Sequence, residues 1–264
     1  MQALIQEDDY PYPLNQDVTQ LTSQMKKVRD SFVWAPGQVI WDDPGTIENG
    51  GGASIIHDKL SQKVQALNNE LLIESAYFVA RESGVEVAQK LQEKGVQIRI
   101  LTNSLASNDV VAAHAGYANY RKSLIEAGVE LYELRPDSVS PTVIENKNIF
   151  GGQSKAALHT KAIVFDRDSI FVGSYNLDPR SAHINTEMGL YVESTELARQ
   201  LAHYMDEGVQ PGNAYQVLLD DHDKIIWRTE IDGTPVTYTR EPESTFWQRF
   251  MSGFIKMLPV EEQL

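Results

Sequence analysis

His159, Lys161, Asp166, Ser174 and Asn176 are the residues whose types and spacing could do chemistry together. Residues two apart in a strand share a face, so a strand over Leu158–Phe165 points His159 and Lys161 the same way. The polar stretch Asp166-Arg167-Asp168-Ser169 separates it from a second strand, Ile170–Tyr175, and the pair reads as a hairpin. With the turn centred on Arg167 and Asp168, His159 faces Asn176 and Lys161 faces Ser174, at about 5 Å between Cβ atoms. One patch then holds an imidazole, an ammonium, a hydroxyl and an amide.

That set suits a phosphodiester. A neutral imidazole attacks phosphorus, while Lys161, Ser174 and Asn176 donate to the non-bridging oxygens, work otherwise done by a metal ion. No metal or other cofactor is expected, since the six histidines are scattered without ligand spacing. Gly173 lets a ligand or another backbone come close. Glu187, on the next strand, could orient the imidazole by accepting its second N–H. Asp166 falls outside the alternation, at the hairpin corner, and reads as fixing the turn or pairing with a basic group.

The full pattern, H-x-K-x4-D-x6-G-S-x-N, has five partners fixed relative to its histidine. At about one in twenty per position, chance supplies it on the order of once in half a million such chains. A bare H-x-K carries no such weight. His57 and Lys59 also match it, but Val64 stands where the Asp should be, and the segment reads as helix.

The elements that must position these groups come in β/α alternation. Helices are expected over residues 14–33, 53–67, 85–91 and 108–127, and strands over 38–41, 70–78, 97–101 and 129–134. After the hairpin come a strand over 185–192, a helix over 195–207, a polar hairpin over 214–238 and a helix over 245–257. Strands joined by single helices imply an α/β fold: a mixed, mostly parallel sheet with helices on both faces. Loops at 102–107 and 135–152 follow such strands, where ligands usually bind. The turn-rich run from Asp42 to Gly52 sets the expected boundary: 1–45 as a connecting segment, the tail of a preceding half domain, and 46–264 as the catalytic half domain.

Composition narrows the partners. The net charge of −14 repels a nucleic-acid backbone at long range, so no nucleic-acid partner is favoured. Without cysteine there is neither a disulfide nor a thiolate metal site. Met1 to Tyr12 is acidic and polar, unlike a signal peptide, and no apolar run approaches the ~20 residues of a spanning helix. Phe246, Trp247, Phe250, Met251, Phe254 and Met257 form an apolar stripe, with Arg249 and Lys256 beside it. Such a helix, 245–257, either lies in a membrane interface or docks on the domain core.

His159 to Asn176 resembles the HKD motif of the phospholipase D superfamily, and Glu187 matches the family's downstream Glu. Tyr77-Phe78, Thr102-Asn103-Ser104, His114-Ala115-Gly116-Tyr117, Leu131-Tyr132-Glu133-Leu134 and Asn176-Leu177-Asp178-Pro179-Arg180-Ser181 resemble the second half of bacterial cardiolipin synthases of the C subclass. The resemblance implies a phospholipase D-like half domain, peripheral on the bacterial cytoplasmic membrane, with phospholipid substrates and a phosphatidyl-histidine intermediate. It also implies a second motif whose histidine protonates the leaving alcohol. This sequence holds one motif, so that half comes from a preceding domain or a second copy. Tyr77, Thr102, Asn103 and Tyr117 are candidates to line the cleft. The readings left open are a cardiolipin-forming phosphatidyltransferase half, a hydrolase or nuclease active as a homodimer, and a non-catalytic half-subunit.

Overall fold

The computed structural model describes residues 18–45, 54–138, 143–146 and 155–257. The chain divides into two compact units, one ending at Ala35 and the other beginning at Pro36. The first contains α1 (Val18–Asp30), whose last turn carries Lys27 and Arg29, a placement that suits the negative end of a helix.

The second unit runs β1 (Gly37–Trp41), α2 (Ile55–Gln65), β2 (Glu70–Ser75), α3 (Arg81–Glu93), β3 (Gln97–Asn103), α4 (Val111–Glu126) and β4 (Glu130–Leu134). It continues with β5 (Val143–Asn146), β6 (Lys155–Leu158), β7 (Lys161–Phe165), β8 (Ser169–Gly173), α5 (Pro179–His183), β9 (Met188–Glu193) and α6 (Thr195–Gly208). Then follow β10 (Ala214–Leu219), β11 (Ile225–Ile231), β12 (Thr234–Tyr238) and α7 (Phe246–Ile255). Ten strands form one sheet in the order β1-β9-β8-β7-β2-β3-β4-β10-β11-β12, and β5 pairs separately with β6.

The sheet corrects the expected strand direction. Only β2–β3 and β3–β4 pair in parallel, and these are the strands joined by α3 and α4. Every other neighbour in the sheet is antiparallel. Short hairpin turns force that direction for β7–β8, β10–β11 and β11–β12, whereas a crossover helix is needed to bring a strand back in parallel. β1 lies before the boundary expected at 45/46, yet it pairs with β9. The Glu48–Gly52 stretch of that expected linker lies outside the described residues, as do most of loop 135–152 and the N-terminal segment. The described part of that loop contains β5, and sequence periodicity missed the β5–β6 ribbon.

Helices do cover both faces. α2, α3 and α4 bury Ile56, Leu60, Val85, Leu91, Tyr117 and Leu124 against Leu71, Ile73, Ile98, Ile100, Ile163 and Phe171. On the opposite face α6 lies along β8, β7 and β2. It buries Ala198, Ala202 and Met205, spaced to share one helical stripe, and Ser194 caps its first turn.

Glu74 lies opposite Ala162 of β7. It is almost wholly buried, and among the described residues neither carboxylate oxygen has a hydrogen-bond partner. Burial pushes its pKa up to about 8, with Arg99 opposing. A carboxyl raised this far costs stability as pH climbs from its unfolded value, about 4.3, through about 8. Glu74→Gln should therefore be more stable than wild type at pH 8, by roughly 1–3 kcal/mol more than at pH 5. Denaturant melts at the two pH values measure it, and a pH-independent difference would contradict the burial argument.

Candidate active site

The site is built where the chain leaves the sheet rather than inside one strand. β6 ends at Leu158 and β7 begins at Lys161, in different sheets, so His159 and Thr160 form the crossing between them. His159 is exposed there, and the Lys161 ammonium bends back to donate to its carbonyl at 3.0 Å. The hairpin register is also shifted by one residue. Phe165 faces Ser169 and Ala162 faces Val172, leaving a three-residue loop with Asp166 and Arg167 at positive φ. Lys161 therefore aligns with Gly173 in the continuing register, not with Ser174.

Three segments nevertheless converge on one rim. Ala76 N–H donates to Thr160 O at 3.1 Å, and Val79 N–H to Leu177 O at 2.8 Å. Tyr77 N–H donates to Asn176 Oδ1 at 3.3 Å. The Ser75 hydroxyl donates to Tyr77 O at 2.6 Å while accepting from Leu177 N–H at 3.2 Å. The loop after β2, the exit of β8 and the entry of β7 are thus tied into one structure carrying His159, Lys161, Ser174, Asn176 and Tyr77. Asn103 locks it from behind. Its Nδ2 donates to the carbonyls of Ala76 and Leu158, both at 3.0 Å, and its Oδ1 accepts from Leu158 N–H at 2.8 Å.

Glu187 is buried at this rim. It accepts from the Ser174 hydroxyl, from Ser181 Oγ at 3.0 Å and from Asn185 Nδ2 at 3.1 Å. Among the described residues no hydrogen bond joins it to His159, so here the carboxylate orients Ser174. Gly173 serves close backbone approach: a Cβ would collide with Met188 O and stand 2.6 Å from Gly189 Cα. Ser174 then clasps β9, donating its N–H to Met188 O and accepting from Met188 N–H at 3.1 Å.

Burial lowers the Lys161 pKa, against the pull of Glu187, Asp178 and Asp109. Those last two carboxylates were not singled out in the sequence. Asp109 accepts from the Tyr77 hydroxyl at 2.8 Å, and burial together with that carboxylate raises the Tyr77 pKa. Asp178 caps α5 by accepting from Ser181 N–H at 2.7 Å. The signal available was Asp-Pro at a helix start, which marks a cap and says nothing of its neighbours.

Thr102 and Tyr117 are buried behind the rim, with the Tyr117 ring 6.1 Å from that of Phe78 in the loop after β2. Thr102 is buried in β3 opposite Glu133, and Tyr117 is buried in α4 with its hydroxyl on Glu133 at 3.1 Å. Asp166 sits at the far end of β7 from His159, about 20 Å away at the usual strand rise. Its carboxylate accepts three backbone N–H groups, from Asn68 at 3.0 Å and from Asn69 and Glu70 at 2.8 Å each. Arg167 forks onto the Glu70 carboxylate beside it.

The rim gathers an exposed histidine, a lysine, a serine and an asparagine at the end of an α/β sheet, the groups of the H-x-K-x4-D-x6-G-S-x-N pattern apart from its Asp and Gly. Residues 60–208 match the family described as "Cardiolipin synthase, PLD-like domain". The chain belongs to this phospholipase D-like family. It is 38% identical to cardiolipin synthase C of Escherichia coli K12 over 234 residues, 87% of this chain and 48% of that protein. An uncharacterized protein of Helicobacter pylori strain J99 is 31% identical over 75% of this chain and 38% of its own length. The chain thus spans about half, or less, of the curated relatives it matches. The crystal structure of phosphatidylserine synthase from Haemophilus influenzae Rd KW20 shares the fold, with a TM-score of 0.53 over 96% of this chain and 57% of that one, at 15% identity.

Asp166→Ala strips three backbone donors of their acceptor and should cost roughly 2–4 kcal/mol. The expected outcome is a melting temperature lower by about 5–12 °C. A wild-type melting curve with lost catalysis would instead put Asp166 in the chemistry.

Proposed function

We propose that this chain is the second-motif half of a phosphatidyltransferase that forms cardiolipin-type phospholipid. The observation that carries the reading is the exposed His159 imidazole at a rim where Lys161, Ser174 and Asn176 converge. Neutral His159 attacks the phosphorus of a phospholipid, a P–N bond forms, and the headgroup oxygen leaves as its P–O bond breaks. The Lys161 ammonium offsets charge on the non-bridging oxygens, and the Ser174 hydroxyl joins it by turning its single proton from Glu187 to the phosphate. Asn176 joins them through Nδ2, because Tyr77 N–H occupies its Oδ1. An acceptor lipid alcohol then attacks the phosphatidyl-histidine, restoring the imidazole.

Proton accounting asks for a second imidazole. The departing alkoxide needs a proton, and a positioned acid contributes ~10²–10⁴-fold. His57 is engaged by the Tyr175 hydroxyl at 2.9 Å, and His114 is buried beside Arg121 and Glu241. His203 lies beside Glu207 on the exposed face of α6, and His222 occupies the β10–β11 turn. His183 ends α5 with its ring 6.2 Å from that of His57, within this same half-site, and matches no acid of the family. We assign the acid to another phospholipase D-like half, a preceding domain or a second copy.

His159→Ala should lower turnover of a phosphatidyl substrate by more than ~10³-fold with an unchanged melting curve. The assay requires the second half. Sedimentation and turnover on one sample, with and without a separately expressed first-motif half, should find the isolated monomer inactive and the pair active. Wild-type-like turnover from a demonstrated monomer overturns the half-site reading; activity confined to a homodimer replaces the preceding domain with a second copy.

The assembled enzyme should keep its activity after exhaustive chelation, because Lys161 and the two neutral donors supply what a metal would. Loss of turnover that magnesium or zinc restores would refute this assignment.

A further inference from the structure

The last helix leaves most of its apolar stripe outside. In a surface helix the apolar stripe faces the core and the polar residues face water. In α7 a narrow inner face holds Met251, Ser252 and Ile255, while Phe246, Trp247, Phe250, Phe254 and Met257 at the helix and its end are 46–75% exposed. The helix is nonetheless well made. Thr245 and Gln248 form a reciprocal capping box, and the helix packs along α4. Trp247 and Phe250 stack at 5.4 Å between ring centroids, so the outward face is a continuous aromatic ridge. Arg249 does not soften it, because its guanidinium turns back to the Ser244 carbonyl and hydroxyl.

We propose that this ridge inserts into the interfacial zone of a phospholipid bilayer and holds the His159 rim against the membrane. Location supports it. Gln248 Nε2 donates to Leu105 O at 3.2 Å, in the loop after β3, and the same loop carries Asp109, which holds the Tyr77 hydroxyl at the rim. The ridge and the reactive imidazole therefore border the same end of the sheet. Five such side chains, about half to three-quarters exposed, present on the order of 600 Å² of apolar surface, the upper end of what a monomer leaves in one patch, so the ridge is a docking surface. Its residue types decide the occupant. Trp and Phe are the side chains that settle at the headgroup boundary. With Arg249 turned inward, Lys256 at the helix end under the pull of Glu241 and Glu133, and a net charge of −14, attraction to anionic lipid is not the driving force. The ridge suits a neutral, zwitterionic surface as well as an anionic one. The functional sense of the placement rests on the lipid-substrate reading above; the binding itself does not.

The full chain is co-sedimented with phosphatidylcholine vesicles, with and without an anionic lipid, and compared with the Trp247→Ser/Phe250→Ser/Phe254→Ser variant. Wild type should bind both vesicles in a salt-insensitive way, and the variant should bind about tenfold more weakly or less, with the same melting temperature. With the first-motif half supplied, the variant should turn over a short-chain water-soluble phosphodiester normally and lose activity only on vesicles. Failure of wild type to bind vesicles overturns the proposal, as does equal binding by the variant. Loss of self-association rather than vesicle binding in the variant makes the ridge a protein interface and also overturns it. Vesicle binding without turnover of either substrate leaves the ridge assignment standing and removes the proposed function.

Discussion

Glu187 carries its carboxylate into the rim of the sheet, and a carboxylate withdrawn from water must be hydrogen-bonded or protonated. Ser174, Ser181 and Asn185 satisfy it, each from a different turn of the chain between β8 and β9. Its backbone is held in turn by Asp42, which accepts Glu187 N–H at 3.1 Å and donates its own N–H to Glu187 O at 2.9 Å. The same Asp42 carboxylate accepts from Ser54 Oγ at 2.8 Å and Ile56 N–H at 3.3 Å, setting the start of α2. One buried carboxylate pair thus joins β1, α2, α5 and β9 to the hydroxyl beside the reactive histidine. Removing either partner would strand the other, which is why such networks are fully satisfied or absent.

A second polar cluster does the same for the other side of the sheet. Arg121 of α4 lies between Glu133 of β4 and Glu241, and its charge holds Glu241 well below the usual carboxylate range despite burial. Trp227 Nε1 donates to Glu133 at 2.9 Å, and Tyr117 donates to the same carboxylate. Glu241 lies a few residues before α7, so its pairing with Arg121 anchors the approach to the helix on α4, beside the half-buried Met251 and Ile255 of its inner face. This explains how the aromatic ridge can be left outside without loosening the helix. Tyr117 belongs to this buried support, and Thr102 lies opposite Glu133 in the strand register.

The motif was legible in the sequence because its members are close along the chain and chemically unusual as a set. The parallel core β2-β3-β4 was equally plain, since α3 and α4 separate those strands with clear helical spacing. What could not be read depends on contacts between distant residues. The break at His159-Thr160 leaves no mark, because Leu158 and Ala162 preserve the alternation on either side of it. The hairpin loop has three residues rather than two, since Asp166 and Arg167 both take positive φ while bonding to the Asn68–Glu70 segment almost a hundred residues earlier. Asp42 looked like part of a linker because Asp-Asp-Pro-Gly favours a turn. Its real partners, Ser54 and Glu187, lie at sequence distances that no local rule reaches.

The electrostatics of the rim bear on what it can hold. Lys161 is a single cation feeling Glu187, Asp178 and Asp109, and the whole chain is strongly acidic. The net charge of −14 opposes long-range attraction of a phosphate, so the groups of the rim act at close range. The apolar part of a lipid substrate, left in its bilayer, can supply positioning without crossing that repulsive field. On the proposed function, binding energy from remote, non-reacting groups would orient the phosphorus at His159. A polyanionic strand has no such apolar part, and each added phosphate raises the repulsion. On this physical ground the rim favours an isolated phosphodiester held from outside the protein over one that the protein must attract.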